Sequence, residues 1–280
     1  MATPRKGAVL VTGASTGIGE SAAHHLAGLG FDVHAGVRRA EDGERLAAAD
    51  TTGRVRPVIV DVTDGDSIGA ARESIGTDLV GLVNNAGIAV PGPVEVLPVE
   101  EWRRQLEVNV VGQVAATQVF LPGLRRTRGR IVFTGSMAGR IGLPGMGAYA
   151  ASKHALEAVS DSLRREVRGF GITVSLLEPG SISTPIWNKG LDELPRMRAM
   201  FGPLGQEQYG ELIETIAKEA SHQDEIGIEP VVVARAIEHA LTSRRPHHRY
   251  VIGRDAQAVV RVVRHLPSGL VDRIVARQLG

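Results

Sequence analysis

Tyr149 and Lys153 stand four residues apart in the run Tyr149-Ala150-Ala151-Ser152-Lys153. On a helix that spacing places both side chains on one face, a turn apart. A phenol can give up a proton and, once ionised, take one back. Its ordinary pKa of about 10 makes it a poor base at neutral pH. A neighbouring ammonium favours the phenolate, so Lys153 is expected to lower the tyrosine's pKa. Such a pair suits the proton that leaves a hydroxyl while a hydride leaves its carbon. Ser136, upstream, closes an apolar run. Its hydroxyl can donate to a carbonyl oxygen and stabilise charge developing there. A Tyr and a Lys at helical spacing are ordinarily surface residues, so their surroundings must decide.

A second segment has a different chemistry. Gly13, Ser15, Thr16, Gly17, Ile18 and Gly19 lie in Thr12-Gly-Ala-Ser-Thr-Gly-Ile-Gly19, after the first apolar run and before the first helical pattern. Glycines allow a tight turn and a close backbone approach to a pyrophosphate. The helix that starts there points free N–H groups and its positive end at phosphates. The first two glycines are separated by three residues, unlike G-x-G-x-x-G, and no Lys-Ser/Thr follows as in a P-loop.

Both segments must be held by a scaffold. Short runs rich in Val, Ile and Leu recur at 8–12, 32–37, 55–60, 79–84, 130–136, 172–178 and 250–252. Most lack polar alternation, as strands buried on both faces do. Helical patterns occupy 18–29, 100–124 and 149–169. Alternation of strand and helix predicts a single-domain α/β fold, a doubly wound parallel β-sheet of Rossmann type with helices on both faces. One domain is expected over 1–280. A substrate lid should occupy about 181–228 and a helical tail about 254–280.

The bulk properties narrow the field. Of 280 residues, 43% are hydrophobic and 22% charged, with a net charge of +1. No general pull toward nucleic acid is expected. The chain has no cysteine, which removes disulfides, thiolate nucleophiles and Cys-based metal sites. The histidines, His247 and His248 included, show no metal-ligand pattern and read as solvated. The run at 8–12 is too short for a signal-peptide core, and no stretch approaches the roughly 20 apolar residues of a membrane span. A cytoplasmic protein without stable membrane insertion is expected.

With the glycine loop, Asn84-Asn85-Ala86-Gly87, Asn109 within Val-Asn-Val, Ser136, Tyr149-x-x-x-Lys153 and Pro179-Gly180 in this order, the chain resembles the short-chain dehydrogenases/reductases along essentially its whole length. The resemblance implies a catalytic tetrad of Asn109, Ser136, Tyr149 and Lys153. Asn109 would hold a water that relays protons to Lys153, and Lys153 would also bond the nicotinamide ribose. It implies that Asp61 and Val62 meet the adenine, that Asn85, Ala86 and Gly87 line the cofactor and support the sheet, and that Pro179, Gly180, Ile182 and Thr184 run along the nicotinamide and phosphate. One departure is Gly135, where many relatives carry a second Ser.

An acid at the end of the second strand selects NAD by holding the ribose 2′-hydroxyl. Here Val37 takes that place and Arg38-Arg39 follow, so NADP(H) is favoured over NAD(H). Ile186, Trp187, Leu191, Leu194, Met197, Met200 and Phe201, with Ile141, Leu143 and Met146 on a second wall, suggest a small hydrophobic carbonyl or alcohol substrate. Half of these side chains could equally pack on the core. The lid and tail resemble the branch with steroid and retinol dehydrogenases. An NAD-dependent secondary-alcohol dehydrogenase is the alternative reading, and a non-catalytic dinucleotide sensor a more distant one. The apolar face of the tail, Val259, Val260, Val263, Leu266 and Leu270, is expected to make protein contacts, as in a homodimer or homotetramer.

Overall fold

The computed structural model describes residues 6–186, 192 and 194–278. Seven parallel strands form one sheet in the order β3-β2-β1-β4-β5-β6-β7. They are β1 Ala8–Val11, β2 Asp32–Val37, β3 Val55–Ile59, β4 Gly81–Asn84, β5 Arg130–Thr134, β6 Thr173–Pro179 and β7 Arg249–Ile252. The strand order reverses between β1 and β4, the crevice in which such sheets bind their ligands. β1 and β4 are buried at every position. β3 is buried only at Val55 and Val58 and holds Pro57, which a sheet tolerates at its edge because no partner needs the missing N–H.

The helices are α1 Gly17–Gly28, α2 Ala40–Ala49, α3 Gly65–Ile75, α4 Val99–Leu106, α5 Gly112–Thr127, α6 Gly147–Glu166, α7 Leu194–Ile226, α8 Pro230–Thr242, α9 Arg254–His265 and α10 Ser268–Gln278. On one face Ala22, Ala23 and Leu26 of α1 pack with Val233, Ala234 and Ile237 of α8 over Val9, Val11 and Val33. On the other, Ile68 of α3, Phe120 and Leu124 of α5 and Leu156 of α6 cover Leu10, Leu82 and Ile131. The sheet is thus sandwiched, and only its strand ends and loops remain to build a site.

Several expectations change. The helical pattern at 100–124 is α4, a wider π turn over Glu107–Val111, and α5. The segment expected as a loop lid carries the long α7, broken at Gly202, where φ is 67°, and restarted by Pro203. Helices α2, α3 and α8 fall outside the expected helical patterns; α2 and α3 bury few side chains, whereas α8 carries an apolar stripe of Val233, Ala234, Ile237, Ala240 and Leu241 that the sequence reading missed. His34 lies in β2 and is buried, with its pKa lowered by burial first and Arg56 second, so it is a sheet histidine rather than a solvated one.

Candidate active site

The glycine loop meets the turn after β4 at the point of strand reversal. The Thr12 hydroxyl accepts the N–H groups of Asn85 and Ala86 at 3.0 and 3.1 Å. Asn85 returns Nδ2 to the carbonyls of Thr12 and Gly13 at 3.2 and 3.1 Å, and its Oδ1 accepts the Thr134 hydroxyl at 3.3 Å. Three sheet ends are therefore laced together, and Asn85 has the linking role expected of it. Gly13, at φ 63°, would drive a Cβ to 2.7 Å from the Ala86 Cα. At Gly19 a Cβ would stand 2.2 Å from the Gly13 oxygen. The cradle exists only because these positions lack side chains.

A cavity of about 570 Å³ opens at the N-terminus of α1, lined by Thr16, Gly17, Ser21, Arg45, Ser183 and Pro185 among others. Arg45 reaches from α2 to the carbonyl of Ser15 and pairs with Glu20 at 2.6 Å. Sequence reading missed it, because an Arg in a polar helix carries no signal of its reach. The glycine cradle and the helix N-terminus fit a dinucleotide's phosphates, while the adjoining cavity also carries the carboxylates of Glu20, Asp42 and Glu229. At the far side of the cradle, Val37 is buried and Arg38 and Arg39 are exposed. Arg39 pairs with Asp42 at 3.2 Å. The Asp61 carboxyl accepts the Thr63 N–H and hydroxyl. Burial pushes this carboxyl up, but those bonds and the charge of Arg38 outweigh it and hold its pKa low. Val62 is buried against Gly112, so it also serves the core.

Tyr149 occupies the first turn of α6 and is 7% exposed; Lys153, a turn on, is 5% exposed. The Tyr149 side chain is hydrogen-bonded to Ser136. Ser136 lies two residues beyond β5 in extended conformation and its Oγ accepts the Ala138 N–H at 3.1 Å. Lys153 donates Nζ to the Thr134 carbonyl at 2.8 Å, 5.5 Å from the Tyr149 ring centre. The expected lowering of the tyrosine pKa does not appear. Burial pushes the phenol above its usual value, against a smaller pull from Ser136, and pushes Lys153 down to about 8. A low-dielectric pocket penalises both charged forms, and here that penalty wins.

Asn109 is fully buried. It donates Nδ2 to the Ile88 carbonyl at 3.0 Å and to Ser152 Oγ at 3.1 Å, and accepts the Ile88 N–H at 2.9 Å. Ser152 in turn donates to the Tyr149 carbonyl at 2.7 Å. Asn109 thus joins the chain after β4 to α6, at the wide π turn. Gln105 and Gln113, a turn to either side, bond the backbone of Ile88, Val90 and Ala86. The sequence reading singled out only Asn109; the four-residue spacing of the three amides could have pointed to Gln105 and Gln113 as well. Gly135 has its own reason: a Cβ there would lie 2.6 Å from the Leu177 oxygen.

After β6 the loop is held by its neighbours. Gly180 donates to the Ile252 carbonyl at 2.9 Å and Ser181 to Asp255 Oδ2 at 2.6 Å. Ile182 pairs with Ile228 as an isolated bridge, and Thr184 packs on Gly17. Asp255, at the start of α9, was not anticipated. Of the apolar lid residues, Phe201 packs into a small core with Val90, Leu97, Ala148 and Ile213, and Met200 is exposed. Ile141 lines a second cavity, of about 500 Å³, facing Leu266, Val271 and Val275 of the tail. Trp187 and Leu191 lie outside the described residues, as do the side chains of Leu194, Met197 and Val263. Among the described residues no cluster could hold a metal ion, and no helix is long and apolar enough to cross a membrane.

The family model described as short chain dehydrogenase matches residues 7–194, from β1 through the loop after β6. The chain belongs to the short-chain dehydrogenase family. It is an oxidoreductase of the alcohol–carbonyl type that works with NAD(P). This short-chain dehydrogenase is 37% identical over 281 residues to human retinol dehydrogenase 5, covering 95% of this chain and 87% of that one. A short-chain dehydrogenase from Streptomyces avermitilis superposes with a TM-score of 0.75 at 29% identity, over 98% of this chain and 94% of its own. A Burkholderia phymatum relative solved with NAD gives a TM-score of 0.74 at 26% identity, over 94% of both chains.

Proposed function

We propose that this enzyme interconverts a hydrophobic ketone or aldehyde and its alcohol with NADP(H), using Tyr149 as general acid and base. The observation that carries the reading is Tyr149 buried beyond the C-terminal end of β5, bonded to Ser136 and backed by Lys153. The bound nicotinamide supplies the hydride chemistry. Ser136 donates to the substrate oxygen, and Tyr149 gives its phenolic proton to the alkoxide or takes one from the alcohol. Lys153 steadies the charge on Tyr149 and, as family resemblance suggests, reaches the nicotinamide ribose. Asn109, through Ser152, holds the α6 backbone beneath the tyrosine. The glycine loop would carry the pyrophosphate, and Pro179, Gly180, Ile182 and Thr184 the nicotinamide side.

Arg38 supports NADP(H), since it is exposed beside a buried Val37 where an NAD-selective site needs an acid. Arg39 is the weaker candidate, being engaged with Asp42. The NAD-bound relative supports the alternative, an NAD-dependent secondary-alcohol dehydrogenase. Likeness to retinol dehydrogenase 5 supports a hydrophobic substrate, as does the exposed Met200 on α7. We read 181–228 as the lid, and the tail as an interface in a cytoplasmic homodimer or homotetramer.

Tyr149→Phe tests the mechanism. It should cut turnover by about 10³-fold, within the usual range for general acid–base catalysis, and leave dinucleotide affinity nearly unchanged. Because burial raises the Tyr149 pKa, alcohol oxidation should accelerate with rising pH and carbonyl reduction should slow. Parental turnover in the variant, or flat pH profiles in both directions, would refute the assignment.

A further inference from the structure

Arg140 directly follows the short turn that carries Ser136, and its guanidinium points to the end of β6. Nη2 donates to Glu178 Oε1 at 2.8 Å and Nε to Glu178 Oε2 at 3.3 Å. The Glu178 side chain is fully buried. The same Nη2 lies 3.1 Å from Glu157 Oε2. Arg249 of β7 completes the cluster. Its Nε meets Glu157 at 3.0 Å and Glu178 at 3.3 Å, and its Nη2 meets Asp161 at 3.1 Å. Asp161 also takes Arg164 and Arg165.

Each partner lies one step from the proposed chemistry. Glu178 immediately precedes Pro179 and Gly180. Glu157 continues the Tyr149–Lys153 face of α6 by one more turn. Gly139 runs so close to α6 that a Cβ there would lie 3.0 Å from the Lys153 carbonyl oxygen. The cluster therefore joins the serine turn, the tyrosine helix and the loop after β6. Burial and the neighbouring Glu178 push the Glu157 carboxyl up to about 7, so the two acids tolerate each other only with guanidinium between them. A two-pronged Arg–carboxylate pair fixes angle as well as distance. A buried carboxylate that loses its partner is costly, which resists any drift of the turn.

We propose that Arg140 is a positioning residue, which through Glu178 and Glu157 sets the Ser136 turn against Tyr149 and against the Pro179-Gly180 loop. This rests on the reading that Ser136 and Tyr149 handle the substrate oxygen and its proton. Arg140 should then act on kcat rather than on binding.

The test uses the full chain with Arg140→Lys, Arg140→Gln and Glu178→Gln. In the cofactor-free proteins, amide exchange should quicken at 136–142 and 179–183 and stay parental in β1 to β4. With a secondary alcohol that the parent oxidises, Arg140→Lys should lose about ten-fold in kcat, as small misplacements of reacting groups do, with KM and dinucleotide Kd within about two-fold. Combining Arg140→Gln with Glu178→Gln should cost no more than the worse single change, because both break one link. If Arg140→Gln does not fold, Arg140→Lys and Glu178→Gln carry the same comparison. Parental kcat in folded Arg140→Lys would overturn the proposal. So would a fall in kcat accompanied by exchange that quickens throughout the sheet, which marks a purely structural role. If the parent oxidises no alcohol, the functional reading fails, while the local exchange pattern still decides whether Arg140 holds these loops.

Discussion

At Gly19 an added Cβ would sit 2.2 Å from a backbone oxygen, while at Gly210, within α7, nothing lies within 4 Å. The two glycines mark two ways of building. At the end with the glycine cradle, backbone meets backbone: Gly13 on Ala86, Gly19 on the Gly13 carbonyl, and Gly36, where a Cβ would lie 3.1 Å from the Val11 oxygen. There the residue type is dictated by space. Where we read the substrate to enter, packing runs through side chains of α7, and Val94 and Met200 are left exposed. There many sequences would serve, which suits a surface that must vary with the substrate. The hydride end of a site must be rigid, and the substrate end need only be shaped.

The sharpest way to break this contrast is Gly19→Ala. The clash involves main chain on both sides and cannot relax by a rotamer change. We expect a loss of about 3 kcal/mol in stability, the upper end for overpacking, and loss of measurable dinucleotide binding. Urea unfolding and dinucleotide titration would show it. A variant with parental stability and affinity would mean that the loop is not the tight cradle described.

Lys153→Met probes the boundary between the two regions. Lys153 is buried with its pKa depressed to about 8 from 10.5. Its charge is therefore worse placed in the folded than in the unfolded chain, a penalty fully present below about 8 and lost as pH rises toward 10.5. Removing the charge should stabilise the cofactor-free protein by about 2–3 kcal/mol at pH 7, with the gain shrinking at alkaline pH, while turnover disappears. A destabilised variant at pH 7 would show that the bond to the Thr134 carbonyl outweighs desolvation.

Arg38→Ala sharpens the cofactor assignment. An exposed guanidinium facing a 2′-phosphate should be worth about ten-fold in NADPH affinity, and NADH should be unaffected. Fluorescence titration with both dinucleotides decides it. Equal losses for the two would assign Arg38 to the adenine instead.

The same contrast governs how much could be read from sequence. The buried runs of β1, β4, β5 and β6 carry their strand character in their composition, and the glycines of the cradle announce their backbone needs, so the α/β sheet and its switch point were legible. So were Tyr149, Lys153, Ser136 and Asn109, which the fold does bring together. What was hidden depends on reach. Arg140, Arg45 and Asp255 are ordinary polar residues until the sheet order carries Glu178, Ser15 and Ser181 beside them. The direction of the Tyr149 shift was hidden for the same reason: spacing reveals the neighbouring ammonium but not the burial that overrides it. The helix within 181–228 was missed because α7 is mostly polar and is broken at Gly202-Pro203.

Gly210→Ala is the smallest and most pointed test of the looser region. Gly210 is helical, and no neighbour would meet its methyl group. Alanine restricts the unfolded chain and favours helix, so stability should rise by about 0.5–1 kcal/mol. The nearby Gly202 also has open space, but its φ of 67° makes alanine strained there. The pair thus separates two demands on one helix, room for a side chain and the backbone angle. Thermal unfolding of the two variants should move in opposite directions, with kcat for a small alcohol unchanged in Gly210→Ala. A destabilised Gly210→Ala would mean that α7 is packed as tightly as the cradle, and the contrast between the two ends of the site would fall.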